Sequence, residues 1–279
     1  MRLPIYLSVQ EHGGLIDEAE KWAKRIGSVS FRIEPAYWKP PDLRRAMTIC
    51  DCVDGKIALC SGPFAGWILP RYPKDRPATD RSVEYIREMD SYRAQYKQIA
   101  KELGSRTDLV GAILIDAEYW KRSADPVHNK AMAETLDTLY EIAAAEFPKA
   151  RIEFYCRGVY WDKPSPYWTE LEKHVPGLSV SMSLPNFPFV MTRWFEETVK
   201  IAKARGLTTI TPFVHIGGGY IGKAAEYNPD LPVDPENARW LGAYLAASPF
   251  VRQIVIHPAP TGTDNWTNHF NNFMAGLGQ

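Results

Sequence analysis

Residues 109–122 read Leu-Val-Gly-Ala-Ile-Leu-Ile-Asp-Ala-Glu-Tyr-Trp-Lys-Arg, a nearly uninterrupted apolar run that leads straight into two carboxylates, Asp116 and Glu118. Side chains two apart on a strand share a face, so Leu114, Asp116 and Glu118 fall on one side, the leucine buried and the acids at its mouth. Two acids on one face repel. The chain either compensates that repulsion with hydrogen bonds or uses one acid to raise the proton affinity of the other, which is what a general acid at neutral pH requires. The structural alternative is a strand cap that pairs with Lys121 or Arg122.

Working outward, apolar segments alternate with helical patterns along the whole chain. The strand candidates are 3–9, 28–34, 56–61, 109–117, 151–157, 178–184, 208–215 and 251–257. Helical periodicity falls at about 15–26, 40–50, 80–103, 127–146, 166–174, 189–205, 236–247 and 264–276, with Gly104 and Gly206 as stop signals. Eight βα units, with no Gly-rich dinucleotide loop after the first strand, predict an α/β fold of the (β/α)8 TIM-barrel type, one domain over residues 1–279. The Pro- and Gly-rich stretch 62–80, with Phe64, Trp67 and Tyr72, is expected as a loop over the barrel mouth.

Composition narrows the partners. The 279 residues carry 33 basic and 33 acidic side chains, a balance that does not recruit nucleic acid or an anionic membrane. No apolar run approaches the roughly 20 residues of a membrane span, and the first segment is too short for a secretory signal, so a soluble, cytoplasmic protein is expected. Cys50, Cys52, Cys60 and Cys156 form no CxxC pair and have poor spacing for zinc; free buried thiols are expected. Nine tryptophans and fourteen tyrosines, many in predicted loops, suit the flat faces of sugars.

In such barrels functional groups sit on the loops after the strands. That rule nominates Glu11 after strand one, Glu34 and Trp38 after strand two, and Trp67 after strand three. Strand four contributes Asp116, Glu118, Tyr119 and Trp120, and strand five Tyr155, Tyr160 and Trp161. His215 and Tyr220 follow strand seven; His257 and Trp266 follow strand eight. Acids and aromatics on one rim fit a carbohydrate cleft, with rings stacking on the sugar and carboxylates doing acid and base work. The expected partner is an oligo- or polysaccharide, and no cofactor or metal is expected.

The segment Asp116-Ala117-Glu118-Tyr119-Trp120-Lys121 resembles the Asp-x-Glu-x-Trp-basic motif ending strand four of hyaluronidases, and its Asp-x-Glu-Tyr core is similar to that of family 18 chitinases. Thr211-Pro212-Phe213-Val214 and Gln253-Ile254-Val255-Ile256 read like strands seven and eight of the hyaluronidase group. The resemblance implies a retaining, substrate-assisted glycosidase. Glu118 would protonate the leaving oxygen and Asp116 would orient a 2-acetamido group whose oxygen attacks the anomeric carbon. The chain departs from the pattern in three places. Leu114 stands where chitinases carry a further acid, Met182-Ser183-Leu184 where a tyrosine is expected, and His257 where strand eight ends in tryptophan. Tyr155, Tyr160 or Tyr220 would have to supply the missing hydroxyl, and Trp266 the floor of the sugar site.

Three other chemistries compete. Glu118 could work as acid with Glu34 or Glu11 as nucleophile or base, where a carboxyl spacing of about 5 Å gives retention and about 6.5–9.5 Å inversion. His12, His215 and His257, with Asp116, could form the ligand set of a metal-dependent hydrolase, although no HxH pair follows strand one. A barrel that binds carbohydrate without turnover would present the same rim. Gly217-Gly218-Gly219, without a following Gly-Lys-Ser/Thr, reads as a flexible loop rather than a phosphate cradle.

Overall fold

The structure is a computed structural model. The structure describes residues 3–8, 20, 22, 29–33, 40–53, 55–61, 83–116, 126–155, 177–183, 189–204, 206–215, 219–221, 226–228, 234–257 and 264–278. Its strands are β1 (Ile5–Ser8), β2 (Val29–Ile33), β3 (Ile57–Ser61), β4 (Val110–Asp116), β5 (Arg151–Tyr155), β6 (Gly177–Ser183), β7 (Thr209–His215), β8 (Gly219–Ile221), β9 (Glu226–Asn228) and β10 (Ile254–His257). The helices are α1 (Pro40–Val53), α2 (Val83–Leu103), α3 (Pro126–Glu146), α4 (Phe189–Ala204), α5 (Pro235–Ala247) and α6 (Asp264–Gly276).

Eight of these strands run parallel in the cyclic order β1-β10-β7-β6-β5-β4-β3-β2, and β1 closes the barrel by pairing with both β10 and β2. Carried once round the ring, the register offsets return to β1 about eight residues from where they started, the stagger of an eight-stranded barrel of this type. Helices α1 to α5 are crossovers and α6 follows the last strand. Of the predicted helix 15–26, Glu20 and Trp22 are described, and both are helical. The predicted helix 166–174 and loop 62–80 lie outside the described residues.

Period-two alternation sorts each strand between two apolar layers. Ile5 and Leu7, Ile57 and Leu59, Ile113 and Ile115, Ile152 and Phe154, and Ile254 and Ile256 belong to the layer shared with the helices. The residues between them, Tyr6, Ala58, Cys60, Ala112, Leu114, Phe213 and Val255, form a separate cluster inside the ring. On the helices the same layer is met at intervals of three and four: Met89, Tyr92, Tyr96, Ile99 and Leu103 are all buried along α2. Each large apolar side chain withdrawn from water there contributes about 1.5–3 kcal/mol.

Stop signals act as expected. Gly206 (φ 72) follows α4, and the Gly206 and Leu207 N–H groups donate to the Lys203 and Ala202 carbonyls in the paired pattern of a left-handed helix end. Helix α5 opens on Asp234, whose side chain accepts from the Glu236 N–H, with Pro235 in the first turn. Two differences from the sequence expectation stand out. The last barrel strand begins at Ile254 rather than 251, because Val251 makes only an isolated bridge to Ile210 before the chain joins the ladder. Part of the glycine segment read as a flexible loop enters an antiparallel hairpin instead, with Tyr220 opposite Tyr227.

The thiols need a correction as well. Cys50 and Cys60 are buried, but Cys52 is exposed. Two residues along a helix turn the side chain by about 200°, so Cys50 and Cys52 cannot share the inner face of α1. Burial, helped by the neighbouring Asp51 charge, pushes the Cys50 thiol up to about 12. Since the thiolate is the reactive form, a thiol reagent at neutral pH is expected to label Cys52 and to spare Cys50 until the protein unfolds. Cys52→Ser should remove one equivalent of fast labelling, and unchanged labelling by that variant would contradict the assignment.

Candidate functional site

The strand ends decide where polar groups can gather. Strand β4 stops at Asp116, which pairs in register with Tyr155, the last residue of β5. Asp116 stands two residues beyond Leu114, a member of the inner cluster, at the carboxyl end of the ring. The same alternation puts Tyr155 two beyond Glu153, His215 two beyond Phe213 and His257 two beyond Val255. His215 lies between Ser183 and His257 in the register, and Ser8 ends β1 beside them. The hairpin carrying Tyr220 follows β7 directly, and Trp266 falls in the first turn of α6, after β10.

Thus the structure brings Asp116, Tyr155, His215 and His257 to one end of the ring, with Tyr220 and Trp266 on elements that leave the same end. Glu11, Glu34, Trp38, Trp67, Glu118, Tyr119, Trp120, Tyr160 and Trp161 lie outside the described residues, as does His12. Among the described residues no group of three or more His, Cys, Asp or Glu side chains is arranged to hold a metal ion. Among the residues that end the eight barrel strands as described, Asp116 is the only carboxylate.

Beneath this rim lies a polar network that the sequence reading did not nominate. Glu153 is fully buried inside the ring. Its carboxylate accepts from the Thr209 hydroxyl at 3.3 Å and the Thr211 hydroxyl at 2.5 Å, while the Gln253 amide donates to Thr211 at 2.9 Å. A buried carboxylate is tolerable only with such donors. The network joins β5, β7 and Gln253 just ahead of β10, and it is separated from the rim by Leu114, Phe213 and Val255. On its other side, burial raises the Tyr6 hydroxyl well above the usual phenol range; the Glu153 charge adds to the rise and Arg151 opposes it. A signal was present in the sequence: Arg151, Glu153 and Tyr155 alternate with apolar residues, which places three polar groups on the inner face of one strand.

No family model matches the chain, and no curated protein matches it in sequence. Solved structures do. A psychrophilic glycoside hydrolase family 10 endo-β-1,4-xylanase matches with a TM-score of 0.57 at 10% identity, over 99% of this chain and 96% of that one. The β-galactosidase of the psychrophilic Marinomonas ef1 matches with a TM-score of 0.61 at 11% identity, over 99% of this chain and 59% of its own. A glucosidase from Croceicoccus marinus matches with a TM-score of 0.55 at 12% identity, over 96% of this chain and 62% of its own. The likeness is one of fold. This chain therefore spans about three fifths of the length of the glucosidase and the galactosidase. The narrower hyaluronidase and chitinase resemblance finds no support among these matches, which point to the wider set of barrels found in glycoside hydrolases.

Proposed function

We propose that the protein is a glycoside hydrolase built on a single (β/α)8 barrel over residues 1–279, with its catalytic centre at the carboxyl end of β4. The observation that carries this reading is the position of Asp116, the final residue of β4 and two beyond the inner Leu114, in a ring of eight parallel strands. Glu118 stands two residues further along the chain and acts as general acid/base. Asp116 orients or polarises the substrate and holds the proton on its neighbour by like-charge repulsion. Trp38, Trp67, Tyr119, Trp120, Tyr160, Trp161 and Trp266 supply stacking faces, and Tyr155, Tyr220, His215 and His257 supply hydrogen bonds to sugar hydroxyls. The barrel likeness to sugar-cleaving enzymes supports the substrate class.

No helix among the described residues is long and apolar enough to cross a membrane. A panel of aryl glycosides tests the proposal. Turnover of N-acetylhexosaminides alone assigns the substrate-assisted route, with Asp116 on the acetamido group. Turnover of plain hexosides assigns a second carboxylate, Glu34 or Glu11, as nucleophile or base. Absence of turnover on every aryl glycoside and oligosaccharide, with sugars still bound, would replace the hydrolase by a binding barrel.

A further inference from the structure

The opposite, amino-terminal end of the barrel holds a cavity of about 450 Å³, within the size range of small-molecule sites. Four cationic residues line it: Lys56 ahead of β3, Lys149 and Arg151 at the start of β5, and Arg252 ahead of β10. The described lining contains no acid. Three separate segments thus bring like charges to one concavity in a chain whose formal net charge is zero. Elsewhere on the surface arginines are answered by carboxylates, Arg44 by Glu102, Arg45 by Glu20 and Arg106 by Asp51. Converging cations repel one another, and an anion in the cavity reverses the sign of that interaction; the buried acid behind Tyr6, Glu153, is already held by Thr209 and Thr211.

Its deeper wall is polar and built. Tyr6 and Gln253, both buried, belong to the lining, and Gln253 is anchored by its bond to Thr211. The Lys56 ammonium donates to the Asp108 carbonyl at 3.1 Å, which fixes that charge at the rim. Gly111 keeps the wall open: a Cβ there would stand 2.9 Å from the Tyr6 hydroxyl oxygen and 3.1 Å from the Lys56 Cβ. The Tyr6 hydroxyl retains its proton at neutral pH and so remains able to donate.

We propose that this amino-terminal cavity is a second binding site, for a small, multiply charged oxyanion of the phosphate type. Two guanidinium forks match tetrahedral oxyanions in pairs of hydrogen bonds, while two ammonium groups add point charge. Singly charged carboxylates would leave most of that charge unanswered. The site lies across the barrel from Asp116 and does not depend on the glycosidase reading.

Isothermal titration of the full chain with inorganic pyrophosphate at low ionic strength tests it. One saturable site is expected, weakening as sodium chloride is raised because the exposed part of the attraction is screened. Arg151→Gln combined with Arg252→Gln should weaken binding by about tenfold or more. Lys149 and Arg252 are both exposed, so Lys149→Gln with Arg252→Gln provides a second variant should the first pair fail to fold. Glu118→Gln should bind pyrophosphate as the parent does, which keeps this test apart from that of the catalytic centre. Absence of saturable heat, or equal binding by the parent and a folded double variant, would overturn the proposal.

Discussion

Glu118→Gln is expected to lower glycoside turnover by about two to four orders of magnitude while sugar binding survives, the usual effect of removing a general acid. The substitution preserves shape and hydrogen bonding but removes the transferable proton. Proximity of Asp116 sets the pH dependence. In the proposed arrangement, where Asp116 and Glu118 work as a pair, the first proton to leave ionises one acid, and the repulsion then disfavours loss of the second. Activity should therefore fall on the alkaline side as that second proton is lost, and Asp116→Asn should move this limb to lower pH as well as reduce turnover. If Asp116 reads an acetamido group, its loss should penalise 2-acetamido substrates more than plain hexosides. The measurement is kcat/KM against pH for both variants on whichever aryl glycoside the parent turns over. Parent-level kcat/KM in Glu118→Gln would remove Glu118 from the chemistry.

Much of the architecture was legible because period and punctuation are local. An alternating strand such as Arg-Ile-Glu-Phe-Tyr at 151–155 declares its two faces before any partner is known, and the same holds for the threefold and fourfold spacing along α2. Asp116 was nominated for that reason: it is the point where an apolar strand turns acidic, and it is the last described residue of β4. The inner network was missed because its members come from three distant segments. Glu153, Thr211 and Gln253 become a unit only once the ring places β5, β7 and the entry to β10 around one axis. The basic cavity was hidden likewise, since Lys56, Lys149 and Arg252 are ordinary surface residues in sequence. Charge balance over the whole chain conceals such segregation, because cations gathered at one end are cancelled in the sum by acids elsewhere.

The stability of the ring should be most sensitive where its last two helices meet. Gly242 of α5 and Gly276 of α6 bring the helix backbones together: a Cβ on Gly276 would lie 2.0 Å from the Arg239 carbonyl oxygen, and one on Gly242 would lie 2.3 Å from that of Phe273. Both obstacles are backbone atoms, which cannot swing aside as a flexible side chain can. Around them Leu241, Leu245, Phe270 and Phe273 are buried to within 0% exposure, so separating the helices would open the apolar layer against the barrel. Gly276→Ala would gain about 1 kcal/mol of helix propensity, yet the forced shift of packed elements costs typically 1–3 kcal/mol and occasionally more. The backbone clash wins, and a net loss of about 1–2 kcal/mol is expected in urea unfolding. Gly104 provides the contrast, with φ 59 and nothing within 4 Å of an added Cβ. There Gly104→Ala should cost only about 1 kcal/mol, the left-handed backbone penalty, and Gly104→Asn should recover part of it because asparagine tolerates that region. The helix contact is disproved if Gly276→Ala unfolds at the same urea concentration as the parent, and a Gly104→Ala loss larger than that of Gly276→Ala would show that backbone conformation, rather than helix approach, limits this fold.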